Sequence, residues 1–364
     1  MPIPIYAAIT SHGFGHITRT ATILNRWQQL NPEILPIFVT TAPHWLLAQY
    51  MQGPFLQRPL RLDVGVVQAD SVQMDLAATK AQVQALQADA ARLVRAEADF
   101  CRLNRVRLIY ADIPPLATAI AKAAAVPCVM VSNFGWDLIY RAFAAPNQNP
   151  AFYDPEFAAL ADWCAELYAG CDLLLQVPLN EPMPAFPHRQ QVGLIASEPR
   201  HDPEWVRAQL GLARDRPTLL LTFGGMGLNA VPYTALDQFP DWQFLTFRDD
   251  IPDLPNLYPI SGSQWRPIDV MPLCDHVVTK PGYSTIAEAL RLGVPVRCLD
   301  REGFAESPYL VEGLRRYSQH QIVPPVALES WDWLEATLTE PSEPAGLDRE
   351  GNATVVAALE AQVA

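Results

Sequence analysis

Strand-like and helix-like segments alternate along this chain, which predicts an α/β protein built on parallel sheets. Two further observations refine that class. The 364 residues exceed one ordinary core and suit two units of roughly 150–200 residues each. Prolines crowd together at Pro178, Pro182, Pro184 and Pro187, where neither a helix nor a central strand can continue. That stretch reads as the join. It gives an N-terminal unit over 1–180, a linker over 181–190, a second unit over 191–345, and a closing helical segment over 346–364 that can pack back on the first unit.

In the first unit, apolar runs predict strands near 4–10, 35–40, 105–111, 127–131 and 172–177. Leu76, Val83, Leu86, Ala90, Leu93, Val94 and Phe100 recur at helical spacing and predict one long amphipathic helix near 74–103. Pro114 and Pro115 open a helix over 114–125, since proline suits a first helical turn. In the second unit, strands are expected near 192–194, 218–223, 243–247, 257–260, 276–279, 295–299 and 321–323. Helices are expected near 203–210, 284–292, 305–317, 327–338 and 349–363. There is no repeat of fixed period. Two such units in series place two sheet edges opposite each other, and the cleft between them is the natural ligand site.

The composition excludes several classes of function. A net charge of −13 argues against a general nucleic-acid surface and against simple electrostatic docking on anionic lipid. Lys80, Lys122 and Lys280 are the only lysines. An acidic protein that binds a phosphorylated ligand must therefore build a local positive site, for which Arg19, Arg248, Lys280 and helix N-termini are the candidates. The six cysteines form no CxxC pair and no cluster with histidine, so no metal site is expected. The chain begins on a strand rather than on a basic and apolar leader, and no run reaches the roughly 18 apolar residues needed to span a bilayer. A cytoplasmic location is the expectation.

Four stretches carry chemistry. Val277–Thr279 run into Lys280-Pro281-Gly282, and a helix then opens on Tyr283-Ser284-Thr285 and carries Glu288. Unpaired N–H groups and the positive end of the helix dipole suit a phosphate there. Glu288, six residues beyond Gly282, is placed to accept hydrogen bonds from the hydroxyls of a ribose. The strand Leu219–Thr222 leads into Phe223-Gly224-Gly225-Met226-Gly227, a second loop whose backbone can face an anion. Near the N-terminus, a strand runs into Ser11-His12-Gly13-Phe14-Gly15-His16, where Gly13 and Gly15 permit a tight turn onto a helix. His16 then stands at the carboxyl edge of the sheet as a general-base candidate, while His12 shapes the turn. Asp112 ends the strand Leu108–Ala111 at the same edge and is the natural partner for His16, with helix capping as its alternative use. Trp136 and Asp137, just after the strand ending at Val131, are expected to face the cleft on the acceptor side. Glu302 and Glu306 follow the strand near 295–299 and can hydrogen-bond a sugar. Asp249-Asp250-Ile251-Pro252-Asp253 reads as a turn rather than a metal motif.

With these residues in view, the chain resembles the GT-B glycosyltransferases, most nearly the type that transfers N-acetylglucosamine to the peptidoglycan lipid precursor. The resemblance rests on Gly13-x-Gly15-His16, Gly224-Gly225-x-Gly227 and Gly282-x-x-Thr285-x-x-Glu288. The stretch Ser11–Arg19 also looks like the glycosyltransferase-like domain found ahead of some sugar kinases, here with no kinase domain expected to follow. The resemblance implies two Rossmann-like domains facing across a cleft, with the acceptor bound by the first and a nucleotide-diphosphate sugar, a UDP-sugar by preference, bound by the second. It implies inversion at the anomeric carbon with no cofactor or metal required. It assigns His16 as base and Asp112 as its partner, and gives donor contacts to Gly224, Gly225, Gly227, Lys280, Gly282, Ser284, Thr285 and Glu288. Gly13 and Gly15 fall on the acceptor side. The chain departs from the family in two places: Lys280–Thr285 replace the His-Cys-Gly-Trp-Asn-Ser signature of plant enzymes, and the Asp-Gln pair that usually grips the donor sugar is missing, with Glu306 as a loose substitute. The acceptor is a small molecule, lipid or glycan, and the fold is compatible with peripheral membrane contact. The alternatives are a nucleotide-sugar 2-epimerase of the same architecture and a nucleotide-sugar-binding protein without turnover.

Overall fold

The computed structural model describes residues 2–68, 74–147, 150–224, 231–262, 264–301 and 303–363. Among these residues thirteen strands form two sheets, every pairing in them parallel. The first sheet holds β1 (Ile3–Ile9), β2 (Ile34–Val39), β3 (Leu56–Arg58), β4 (Leu108–Asp112), β5 (Cys128–Ser132), β6 (Leu173–Gln176) and β7 (Arg189–Gln191) in the order β3-β2-β1-β4-β5-β6-β7. The second holds β8 (Thr218–Leu221), β9 (Gln243–Thr246), β10 (Leu257–Pro259), β11 (His276–Thr279), β12 (Val296–Leu299) and β13 (His320–Val323) in the order β10-β9-β8-β11-β12-β13. In each sheet the winding direction reverses once, between β1 and β4 and between β8 and β11. A ligand site is expected at the carboxyl ends of the strands at such a reversal.

The helices that cover these sheets are α1 (Gly15–Leu30), α2 (His44–Tyr50), α3 (Leu76–Leu103), α4 (Leu116–Ala124), α5 (Trp136–Phe143), α6 (Phe157–Tyr168), α7 (Pro203–Leu210), α8 (Pro267–Val270), α9 (Tyr283–Leu292), α10 (Ser307–Tyr317) and α11 (Gly351–Val363). The central strands are buried on both faces, as parallel strands under helices must be, which is why they read as continuous apolar runs rather than alternating ones. Helix ends follow local chemistry. Asp75 caps α3 by accepting from the Ala78 amide at 2.9 Å. Asp202 caps α7 with Pro203 in its first turn, and α9 stops at Gly293 in the left-handed region, φ 72°. The apolar core runs from α1 and β1 through residues 192–196 and α11 into α9. After the second sheet the chain returns, and α11 packs on α1, with the Val363 carbonyl accepting from Arg107 at 3.1 Å.

Four expectations need correction. Residues 189–191, expected in the linker, form the edge strand β7 of the first sheet. The strand expected at 192–194 does not form as such: the Val192 amide continues the pairing of β7 by donating to the Gln176 carbonyl at 3.0 Å, and beyond it the Leu194 amide donates to the Asp348 carbonyl and the Gly351 amide to the Leu194 carbonyl, each at 2.9 Å, so the segment turns to the chain leading into α11. The helix expected at 327–338 is two short 3-10 turns, Pro325–Glu329 and Asp332–Glu335, separated by Trp331 at φ 58°. A side chain in that left-handed conformation ends an α-helix. The three-residue edge strand β3 was not anticipated.

Candidate functional site

The first half-site is built at the β1–β4 reversal. After β1, Gly13 adopts φ 80°, and the chain turns into α1 with His16 as its second residue. Asp112, the last residue of β4, is completely buried. Its Oδ1 lies 2.7 Å from His16 Nδ1. Arg19, one turn along α1, grips the same carboxylate side-on, Nε to Oδ2 at 2.8 Å and Nη2 to Oδ1 at 2.6 Å, and the Thr20 hydroxyl adds a longer contact at 3.3 Å. Burial works to raise the Asp112 pKa, but the charges of Arg19 and His16 outweigh it and hold the carboxyl below its ordinary value. An anionic carboxylate only accepts, so His16 Nδ1 must carry a proton towards it. That leaves Nε2 as the basic nitrogen of the ring. The 3.2 Å approach of Arg19 Nη2 to the same Nδ1 is then a shared focus on Asp112 Oδ1 rather than a hydrogen bond between the two.

Arg19 also ties this half to the other. Its Nη1 donates to Asn133 Oδ1 at 3.1 Å, and its guanidinium lies 4.7 Å from the centre of the Tyr283 ring at the start of α9. Asn133 Nδ2 in turn donates to Glu306 Oε1 at 2.7 Å. A separate bond runs from the Ser284 hydroxyl to the Gly15 carbonyl at 2.8 Å. A side chain on Gly15 would press on Ser284, its Cβ falling 3.0 Å from Oγ, so the close approach needs the glycine.

The second half-site is built at the β8–β11 reversal. Gly224, at φ 74°, follows β8, and the Lys280 side chain runs beside it. Lys280-Pro281-Gly282 follow β11 and deliver the N-terminus of α9 to the cleft. Two chambers meet over Gly15, Gly224, Ser284 and Thr285. One lies between His16, Lys280, Arg301 and Glu306. The other, about 650 Å³, is lined by Trp45, Tyr50, Ile260, Trp265, Arg248 and Glu288, a size within the range of small-molecule sites. Glu288 is 5% exposed, and burial pushes its carboxyl up to about 7 even though Arg266 and Ser197 oppose the shift.

The structure therefore brings together His16, Asp112, Gly13, Gly15, Gly224, Lys280, Gly282, Ser284, Thr285, Glu288 and Glu306 around one cleft. Gly225, Gly227 and Glu302 lie outside the described residues. Trp136 and Asp137 do not face the cleft. Trp136 is completely buried behind His12, edge-on to its ring, with Nε1 donating to Asp63 at 2.8 Å. Asp137 turns back into the first turn of α5, where burial raises its pKa. An aromatic helix start packed against a sheet buries its large side chains first. Arg19, anticipated as a phosphate contact, is occupied by Asp112 instead. Sequence reasoning missed Asn133, Trp265 and Arg301. Each follows a strand of a sheet at its carboxyl edge within a few residues, and that position was the available signal.

Among the described residues no group of three or more His, Cys, Asp and Glu side chains is arranged for a metal ion, and no helix is long and apolar enough to cross a membrane. All six cysteines are free and buried.

No family model matches the chain. It is 30% identical over 315 residues to an L-arabinokinase of Arabidopsis thaliana, matching 85% of this chain and 29% of the relative. It is 27% identical over 219 residues to a UDP-N-acetylglucosamine--N-acetylmuramyl-(pentapeptide) pyrophosphoryl-undecaprenol N-acetylglucosamine transferase of Leifsonia xyli subsp. xyli, matching 56% of this chain and 55% of the relative. The chain thus spans about a third of one curated relative and about half of the other. Among solved structures, the glycotransferase of kitacinnamycin superposes over 100% of this chain and 96% of its own, with a TM-score of 0.63 and 18% identity. Medicago truncatula UGT71G1 complexed with UDP-glucose superposes over 100% of this chain and 90% of its own, with a TM-score of 0.56 and 12% identity. Two parallel sheets with their reversals turned to one cleft, superposing along the full chain on these structures, give the chain the GT-B fold of glycosyltransferases, with similarity to the peptidoglycan-precursor N-acetylglucosaminyltransferase type.

Proposed function

We propose that this protein is an inverting glycosyltransferase that moves a sugar from a nucleotide diphosphate, UDP by preference, to an acceptor hydroxyl. One observation carries the reading: His16, backed by the buried Asp112, and the N-terminus of α9 face the same chamber from opposite sheets. In this reading His16 Nε2 takes the proton of the acceptor hydroxyl. The oxygen attacks the anomeric carbon from the face opposite the leaving diphosphate, and the configuration inverts. Asp112 holds the ring and stabilises the imidazolium that forms. The diphosphate leaves against Lys280 and the α9 N-terminus, which supply the positive charge a metal supplies elsewhere. Glu288 accepts from the ribose hydroxyls, and Trp265 with Ile260 covers the base. The similar structure that holds UDP-glucose supports the choice of donor.

The test is release of UDP from a panel of UDP-sugars, with and without acceptor alcohols. His16→Ala should lower turnover by on the order of 10²–10⁴-fold while UDP still binds. Undiminished turnover in that variant removes His16 as base. The Arg19–Asp112 pairing favours a second reading, a nucleotide-sugar-binding protein without turnover, because Asp112 is already charge-compensated without the histidine. Tight UDP-sugar binding with no transfer and no hydrolysis would decide for it.

A further inference from the structure

The chamber beside His16 contains a cation that the proposed transfer leaves unused. Arg301 sits two residues after β12, is only 7% exposed, and lines the chamber with Lys280 and Glu306. Among the described residues its Nε and Nη2 have no hydrogen-bond partner. Burial lowers its pKa to about 10, with Glu306 acting in the opposite sense, so it remains a cation at neutral pH. Buried charge with idle donors is unfavourable unless a partner fills them. The guanidinium is also held in place: it lies 3.9 Å from the centre of the Phe304 ring, and Phe304 stacks on His12.

The molecule shows what that edge of an arginine receives. Arg19 uses the same two atoms, Nε and Nη2, to grip the Asp112 carboxylate. A side-on guanidinium matches a planar carboxylate with two parallel bonds. The position of Arg301 separates it from the diphosphate. The diphosphate is assigned to the α9 N-terminus, after β11. Arg301 follows β12, one strand further along the sheet, on the loop that leads to Glu306 and α10. Glu306 is anchored by Asn133 and faces the same space. Burial first, and then Arg301, His16 and Lys280, hold His12 well below its ordinary pKa, so these three groups act on a common space.

Building on the nucleotide-sugar reading above, we propose that Arg301 receives a carboxylate carried by the transferred sugar, so that the preferred donor is a nucleotide uronic acid. The other source of an anion within reach is the diphosphate itself, and one experiment separates the two. Calorimetric affinities of the full chain are measured for UDP, UDP-glucose, UDP-glucuronate and UDP-galacturonate, with the wild type, Arg301→Met and Arg301→Lys. The wild type should bind one of the uronates on the order of tenfold or more tighter than UDP-glucose. Arg301→Met should erase that preference and leave UDP affinity in place. Arg301→Lys should keep only part of the preference, since an ammonium keeps the charge without the fork. Wild-type protein that binds UDP but prefers neither uronate overturns the proposal. An equal loss of all four ligands in Arg301→Met puts the anion on the diphosphate and also overturns it. Failure of the wild type to bind UDP at all removes the nucleotide reading itself, a different result. Thermal unfolding of both variants establishes that they fold, and Arg301→Lys carries the test if Arg301→Met does not.

Discussion

The two half-sites are made of the same parts, a strand, a glycine turn and a helix start, yet they differ in how their charges are settled. Around β1 and β4, the central charge is settled within the protein: Asp112 receives His16, the Nε and Nη2 of Arg19, and Thr20. Around β11 and β12, Glu288 is held near neutrality by burial, and Arg301 keeps idle donors. A completed network fixes the position of a base before anything binds. An incomplete one holds binding energy in reserve for a ligand that supplies the missing partner.

The sharpest way to break this contrast is to remove the centre of the completed half. Asp112→Ala leaves Arg19 a buried, unpaired cation and should cost about 3–5 kcal/mol of stability in chemical denaturation. A loss below about 1 kcal/mol would show that water or a rearrangement settles Arg19 and that the network is not a fixed platform.

The next effect belongs to the incomplete half and depends on pH. Glu288 has a folded pKa of about 7, above its ordinary value of 4.5. The folded protein therefore holds this proton more tightly than the unfolded chain does. Stability is greatest below the unfolded pKa and falls as pH rises from about 4.5 through about 7. For this 5% exposed group the fall is on the order of 3 kcal/mol. Asp63, raised to about 6, and Glu181, raised to about 7, both mainly by burial, act in the same direction. Glu288→Gln should flatten its share of the slope in urea denaturation measured across that range. The ribose assignment adds an opposite trend in binding. A carboxylate is the better acceptor for two hydroxyls, so UDP affinity should rise as pH passes about 7, and Glu288→Gln should abolish that rise. A pH-independent UDP affinity in the wild type would detach Glu288 from the ribose.

The smallest effect lies at the seam. Ser284→Ala removes the bond to the Gly15 carbonyl and should cost about 0.5–1.5 kcal/mol, with UDP affinity changed less than in Glu288→Gln. A larger loss of affinity than in Glu288→Gln would move Ser284 from the seam into the donor site.

Much of this arrangement is legible in the chain itself, because sheet edges and glycine turns are local. The run into Gly13-Phe14-Gly15-His16 and the run into Lys280-Pro281-Gly282 each announce a strand, a turn and a helix within a dozen residues. Asp112 is legible as a strand-end carboxylate at the same edge as His16. Its second partner is not, because nothing in the order of residues says that Arg19 turns inward to a residue 93 positions away. The short edge strands β3 and β7 carry too few residues to show a period, and β7 is polar and exposed. The aromatic stretch after β5 suits a pocket wall and a core equally, and the packing of α5 decides for the core. Arg301 looks like any loop arginine until burial strips it of water.

The chain passes between its halves twice, once after β7 and again on the way to α11, which seats on α1. Two crossings leave the halves fewer relative motions than a single linker would. Ser284 on Gly15, Asn133 on Glu306 and Arg19 over Tyr283 bridge the halves beside the site, so any widening of the cleft at that point breaks contacts the protein has already made.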